Sequence, residues 1–234
     1  MIGEHSSKQY DQELESIRSK VLQMGGIVEA QFLEAMECFK GGNIERAAQV
    51  MADDATVNQL EVELDDACSH LIVRRQPAAN DLRTVMATVK VITDLERIGD
   101  EAAKIARTAR DMYSRGTSAN LQHYEMVRSI ASTTGDMLHD ALDAFARLDG
   151  RQALDLIAQD EIVDHDFRTI MRNLITFMME DPRTISPALD TLWVAKAIER
   201  IGDHAKNIAE YVIYVVEGKD IRHSRSAAAA GEIV

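Results

Sequence analysis

Apolar residues recur along this chain every three to four positions, the period of one helix face. Val57, Leu60, Leu64 and Leu71 form one such stripe; Leu95, Ile98, Ala102, Ile105 and Ala109 form another. Breakers cut the periodic stretches into six pieces. Helix 1 is predicted over about 8–40, ended by Gly41-Gly42, and helix 2 over about 44–75, ended before Pro77. Helix 3 spans about 79–114, stopped at Gly116, and helix 4 about 119–148, stopped at Asp149-Gly150. Helix 5 runs over about 151–180 and closes at Asp181-Pro182. Helix 6 opens near Ser186-Pro187, read as an N-cap serine with proline at the first helical position, and ends at Gly218. Long amphipathic helices with such short connections make antiparallel bundles. The fold class is all-α.

The two halves repeat. Phe32, Ala35, Phe39, Ala47, Asp54 and Val57 match Leu138, Ala141, Phe145, Ala153, Asp160 and Val163 at a constant offset of 106. Beyond the proline-containing connection the offset becomes 103. There Glu96-Arg97-Ile98-Gly99-Asp100 recurs letter for letter as Glu199-Arg200-Ile201-Gly202-Asp203, followed by Ala102/Ala205, Ile105/Ile208 and Ala106/Ala209. Six long helices therefore form two similar antiparallel three-helix bundles related by internal duplication. The first repeat is expected over 8–115 and the second over 117–218, with a flexible tail at 219–234.

Composition narrows the function. The chain has 234 residues, Lys+Arg 26 against Asp+Glu 39, and a net charge of −13. That balance argues against nucleic-acid and anionic-lipid partners, which need a clustered basic face. No stretch approaches the roughly 18 apolar residues of a membrane span, and there is no N-terminal apolar leader. Cys38 and Cys68 sit at unequal distances from the Gly41-Gly42 turn. An axial offset of about 33 Å, at about 1.5 Å per residue, puts them beyond disulfide reach. The protein reads as soluble and cytoplasmic.

The repeated pentapeptide carries a cost twice. Carboxylates four apart share a helix face and repel by roughly 0.2–0.5 kcal/mol. Gly99 and Gly202 each cost about 1 kcal/mol relative to alanine inside a helix. One explanation is close helix packing at the glycine, with Glu96 and Arg97 on a solvated face. The other is a cation site, because paired carboxylates are hard oxygen ligands. The candidate ligands are Glu96, Asp100, Glu199 and Asp203, and behind them Asp54, Asn58, Asp160 and Asp164 on helices 2 and 5. Glu61 and Asp65 extend the stripe in the first half only, since Phe167 and Met171 replace them in the second.

Enzyme signatures are missing. None of the seven histidines has Glu three residues earlier, as a ferritin-like di-iron site needs. Cys/His zinc spacing, a phosphate loop and a nucleophile elbow are also absent. His165 and His204 adjoin Asp164 and Asp203, where a surface role is expected. Met24-Gly25-Gly26 implies close helix packing, Arg74-Arg75-Gln76-Pro77 places cations at a helix C-terminus, and the eleven methionines read chiefly as core filler.

The doubled Glu-Arg-Ile-Gly-Asp, together with Glu13-Leu14-Glu15-Ser16-Ile17-Arg18, Arg74-Arg75-Gln76-Pro77, Asp81-Leu82-Arg83 and Leu142-Asp143-Ala144-Phe145-Ala146-Arg147, resembles the PhoU family across roughly residues 10–223. The resemblance implies two three-helix bundles with pseudo-twofold symmetry, a homodimer, and no catalytic activity. It further implies a negative regulator of phosphate uptake and phosphate-starvation signalling. Its partners would be the ATPase subunit of the phosphate ABC transporter and a phosphate sensor histidine kinase, reached from the cytoplasm or at the inner membrane through those proteins. In the family, Glu/Asp-x-x-x-Asp motifs bind metal ions (Mg, Mn, Fe or Zn), which points to Glu96, Asp100, Glu199 and Asp203. Asp94 has Ala197 as its counterpart, which speaks against symmetrical use of that position. The alternatives are a metal-dependent helical-bundle enzyme, hydrolase or oxidase, and a purely structural helical dimer.

Overall fold

The structure is a computed structural model and describes residues 2–117 and 121–220, with side chains over 8–117 and 123–220. Six α-helices follow in order: α1 (Ile2–Gly41), α2 (Ile44–Arg75), α3 (Ala79–Ser114), α4 (Leu121–Arg147), α5 (Gly150–Glu180) and α6 (Ile185–Glu217). A 3-10 turn, Pro182–Thr184, precedes α6, and there is no strand among the described residues. Residues 118–120 and the tail beyond 220, where an extra turn of α4 and a flexible end were expected, lie outside the described residues.

Caps explain the ends. Asn43 Oδ1 accepts from the Arg46 backbone N–H at 2.9 Å and opens α2, which closes on Gln76 in the left-handed region ahead of Pro77. Asp149 was expected to end helix 4. It does so, its backbone N–H donating to Ala144 O at 3.0 Å, and its carboxylate also accepts from the backbone N–H groups of Arg151 and Gln152, so the same residue caps α5. The expected Ser186-Pro187 cap is displaced. Asp181 accepts from the Arg183 N–H and Pro182 opens the 3-10 turn, so α6 begins one residue before Ser186. Pro187 remains in the first turn, where its missing N–H has no helical partner to lose.

α1, α2 and α3 pack together, as do α4, α5 and α6, and the tightest pairing of all joins α3 to α6. One core runs through both halves. Every apolar pair of the repeat is buried: Phe32 with Leu138, Phe39 with Phe145, Val57 with Val163, and Ile98 with Ile201. Each large side chain so buried contributes about 1.5–3 kcal/mol, well above the helix cost of one glycine. Met24, Met112 and Met137 are fully buried, in keeping with filler. Both cysteines are buried and unpaired.

The seam between α3 and α6 is polar but closed. Asp94, 6% exposed, accepts from His204 Nδ1 at 2.6 Å and from Asn207 Nδ2 at 3.1 Å. Glu101, 5% exposed, accepts from Lys104 Nζ and Arg200 Nη1, each at 2.9 Å. His204 is therefore an internal clasp rather than a surface residue, and Asp94 is spent on it. His165 does lie at the surface. Arg75 clasps Glu13 of α1 through Nη2 at 2.7 Å, so the cation pair ending α2 is half committed to the fold.

Of the paired glycines in α1 only one is used. A Cβ on Gly25 would stand 2.5 Å from the buried Leu142 of α4, whereas one on Gly26 meets nothing within 4 Å. Gly26→Ala should stabilise the protein by about 0.5–1 kcal/mol through helix propensity. Gly25→Val should destabilise it by about 1–3 kcal/mol through overpacking. Urea denaturation of the two variants distinguishes them by sign.

Candidate metal centre

The carboxylates gather where α2 crosses α3. The absence of a side chain at Gly99 lets α2 and α1 come close: a Cβ there would lie 3.3 Å from Asp54 Oδ1, 3.3 Å from Val57 Cγ1 and 3.4 Å from Gln31 Oε1. The packing explanation of the pentapeptide is thus realised here. The glycine is a packing device, and what it admits is polar. Gln31 is 4% exposed, and neither its oxygen nor its nitrogen has a hydrogen-bond partner. Asp54 Oδ1 and Asp65 Oδ1 are also buried without one. Unpaired buried acceptors are rare because each forfeits hydration.

Electrostatics describes the same cluster. Partial burial, then the charge of Asp100, raises the Asp54 carboxyl above its ordinary value, against the charge of Arg107, a hydrogen bond from Asn58 and the charge of Lys104. Burial followed by Asp65 raises Glu61, and burial followed by Asp66 raises Asp65. Glu96 is raised by burial, then by Asp100, Glu61 and Asp54. Among the described residues only Arg97 brings a cation within 4 Å of Glu96 or Asp100, at 3.5 and 4.0 Å from an exposed position. Asn58 is itself exposed at the margin.

The second half reproduces the backbone but not the charge. Val163 Cγ1 lies 3.4 Å from a would-be Gly202 Cβ. Asp160, 5% exposed, accepts from Lys206 Nζ at 2.5 Å. Lys196 Nζ binds Glu199 at 2.5 Å and lies 5.3 Å from the Phe167 ring centre, and Arg168 binds Asp164 at 3.1 Å. Asp203 reaches solvent, yet partial desolvation and the charges of Glu199, Asp160 and Asp164 push it up to about 6 against Lys206.

The donor set of the first half, Asp54, Glu61, Glu96, Asp100 and the orphaned Gln31 amide, fits a hard cation. Among the described residues no three His, Cys, Asp or Glu side chains already converge on one point. Sequence reasoning passed over three residues that matter here. Gln31 is the polar break in the Met24-Val28-Phe32-Ala35 face, and Lys206 and Lys196 stand where the repeat has Ala103 and Thr93. The offset that revealed the repeat also exposes those two departures.

Two duplicated three-helix units joined through α3 and α6, each with a carboxylate turn against its neighbour, define a class of duplicated helical bundle. The chain belongs to the PhoU family: the PhoU domain profile matches residues 21–109 and 127–212. It is 47% identical over 219 residues to the phosphate-specific transport system accessory protein PhoU homolog of Pseudomonas aeruginosa, covering 94% of this chain and 90% of that one. It is 45% identical over 225 residues to the Escherichia coli phosphate-specific transport system accessory protein PhoU, covering 95% and 91%. The crystal structure of PhoU from Pseudomonas aeruginosa superposes with a TM-score of 0.86 at 45% identity, covering 90% of this chain and all of that one. The phosphate transport system regulatory protein PhoU from Streptococcus pneumoniae gives 0.83 at 25% identity, covering 90% and 98%. These relatives are named accessory and regulatory proteins, not enzymes. No described helix is long and apolar enough to cross a membrane.

The raised carboxyls fix a pH dependence. Their folded-state values exceed the unfolded ones, so in the window between them the native state binds more protons and stability falls as pH rises. The favourable contribution is complete below about pH 4 and is lost through the raised values, for Asp203 up to about 6. Asp100→Asn removes a charge that raises Asp54, Glu61 and Glu96. In metal-free buffer at pH 7 it should raise Tm by about 2–4 °C, the shift that about 1 kcal/mol brings at this size. Thermal melts from pH 4 to 8 should show that gain vanishing towards pH 4.

Proposed function

We propose that this chain is a non-enzymatic accessory regulator of phosphate-specific transport. The observation carrying the reading is 47% identity, across 94% of the chain, to a phosphate-specific transport system accessory protein. The protein docks on the ATPase subunit of the phosphate importer and on a sensor histidine kinase, and it holds the starvation response off when phosphate is plentiful. It works as a homodimer in the cytoplasm and reaches the membrane through those partners. Divalent or ferric metal ions bind at the carboxylate turns, with Glu96, Asp100 and Asp54 as ligands in the first half and Glu199, Asp203 and Asp160 as their equivalents. Asn58 and Asp164 lie at the margins of the two sets. A bound ion supplies positive charge and open coordination positions for a further oxygen ligand.

Unpaired acceptors around Gly99 and the raised Asp54, Glu61 and Glu96 support the metal reading, because a cation relieves both conditions. Affinity capture from phosphate-replete cells should recover the transporter ATPase and the kinase, and recovery of neither would sink the regulatory assignment. Light scattering should give twice the chain mass of 26.0 kDa. Manganese at a hundredfold excess over its Kd should stabilise the protein by about 2.7 kcal/mol through mass action. That is a rise in Tm of roughly 5–10 °C, reversed by chelator.

A further inference from the structure

The duplication provides an internal control on the metal site. Superposing the halves by their offsets sets Asp54, Glu96 and Asp100 on Asp160, Glu199 and Asp203. Around that shared frame the first half adds Glu61 and Asp65. At the equivalent places the second half has Phe167 and Met171, adds Asp164 in place of Asn58, and acquires Arg168, Lys196 and Lys206 where the first has Val62, Thr93 and Ala103. The first half also has Lys104 and Arg107 acting on Asp54 where the second has Asn207 and Glu210, so the halves differ less in total charge than in how closely their cations are seated. All three cations are engaged: Lys206 on Asp160, Lys196 on Glu199 and Arg168 on Asp164.

Lys206 is the decisive one. Its ammonium lies 2.5 Å from the buried Asp160 and three residues after Asp203 on the same face of α6, within the field of both. An ammonium there supplies the positive charge that a metal ion would supply at Gly99: it offsets the partly buried carboxylates of Asp160 and Asp203. In the first half Arg107 and Lys104 act on Asp54 only through their field, with no ion pair to it among the described residues, and the site holds instead a fully enclosed amide with no hydrogen-bond partner. Gln31 Oε1 and Asp54 Oδ1 both face the bare Cα of Gly99, and the place of Gln31 in α4 is taken by Met137, buried and with no oxygen donor, only a soft thioether. The second half has an orphan of its own, Thr134 Oγ1, 3.9 Å from the would-be Gly202 Cβ, beside carboxylates already neutralised.

We infer that Lys206 is a built-in counter-ion that takes the place of metal in the second half, so that cations bind in the first half alone, with the Gln31 carbonyl as an added oxygen ligand. The inference rests on the proposed metal binding and narrows it to one half.

Titration calorimetry with Mn²⁺ on the full chain tests it. Asp54→Asn/Asp100→Asn should weaken uptake at least tenfold, whereas Asp160→Asn/Asp203→Asn should change it by less than twofold. Gln31→Leu should weaken the first-half event severalfold with the fold unchanged. Lys206→Met should open a second binding event, and its Tm should fall in chelator and recover with Mn²⁺, a rescue that loss of a merely structural ion pair would not give. Equal loss from both double variants, or failure of folded Lys206→Met to gain a site, overturns the asymmetry while leaving metal binding intact. If Lys206→Met does not fold, the two double variants decide alone. Absence of Mn²⁺ uptake by the wild-type chain overturns the metal reading and this inference together.

Discussion

The close approach of α2 to α3 at Gly99, and of α5 to α6 at Gly202, is the constraint on which the rest of the molecule depends. Without a side chain at these positions Val57 and Val163 reach the opposing helix backbone at van der Waals distance. The apolar stripes on either side then interlock into a core common to both halves. Each glycine costs about 1 kcal/mol of helix propensity, and the burial it permits outweighs that several times over. The same contact carries Asp54 towards Glu96 and Asp100, and Asp160 towards Glu199 and Asp203. Packing and acidity arise from one geometric fact.

Bringing carboxylates together under partial burial has an energetic consequence that the two halves meet differently. In the second, lysines 196 and 206 and Arg168 lie directly on the acidic groups. In the first, Arg97 touches from the outside and Lys104 is held by Glu101, and carboxyls rise in affinity for protons in both halves, at Asp54 and Glu96 as at Asp203. A protein that spends stability on unneutralised charge keeps that charge available to something external. The overall −13 is shared almost evenly by the two halves, so what differs between them is where the cations sit relative to the clustered carboxylates.

The α3–α6 seam shows how a duplicated protein departs from symmetry. Asp94 is clasped by His204 and Asn207, while Glu101, which is the counterpart of His204, is clasped by Lys104 and Arg200. Both carboxylates are almost fully enclosed, and each has two donors. Removing a donor from such a pair leaves a buried charge unsatisfied, which ties the two bundles into one body. Those carboxylates are structural, although by position alone Asp94 looks as available as Asp100.

By itself the sequence determined the helices, their order and the repeat, because 3.6-residue periodicity, glycine and proline breaks and a constant offset are all local or one-dimensional signals. It also placed the carboxylate turn, since Glu-x-x-x-Asp on a helix needs no tertiary information to share a face. The cap of α6 was misplaced at Ser186, and the second role of Asp149 as the cap of α5 was missed, because a cap is decided by individual side-chain hydrogen bonds. Only the tertiary structure decided which acidic residues face one another, which are clasped, and which remain alone. Gln31 belongs to the site because α1 crosses behind Gly99, and His204 leaves it because Asp94 lies opposite. Those outcomes follow from where helices distant in sequence meet, and no spacing within one helix encodes them.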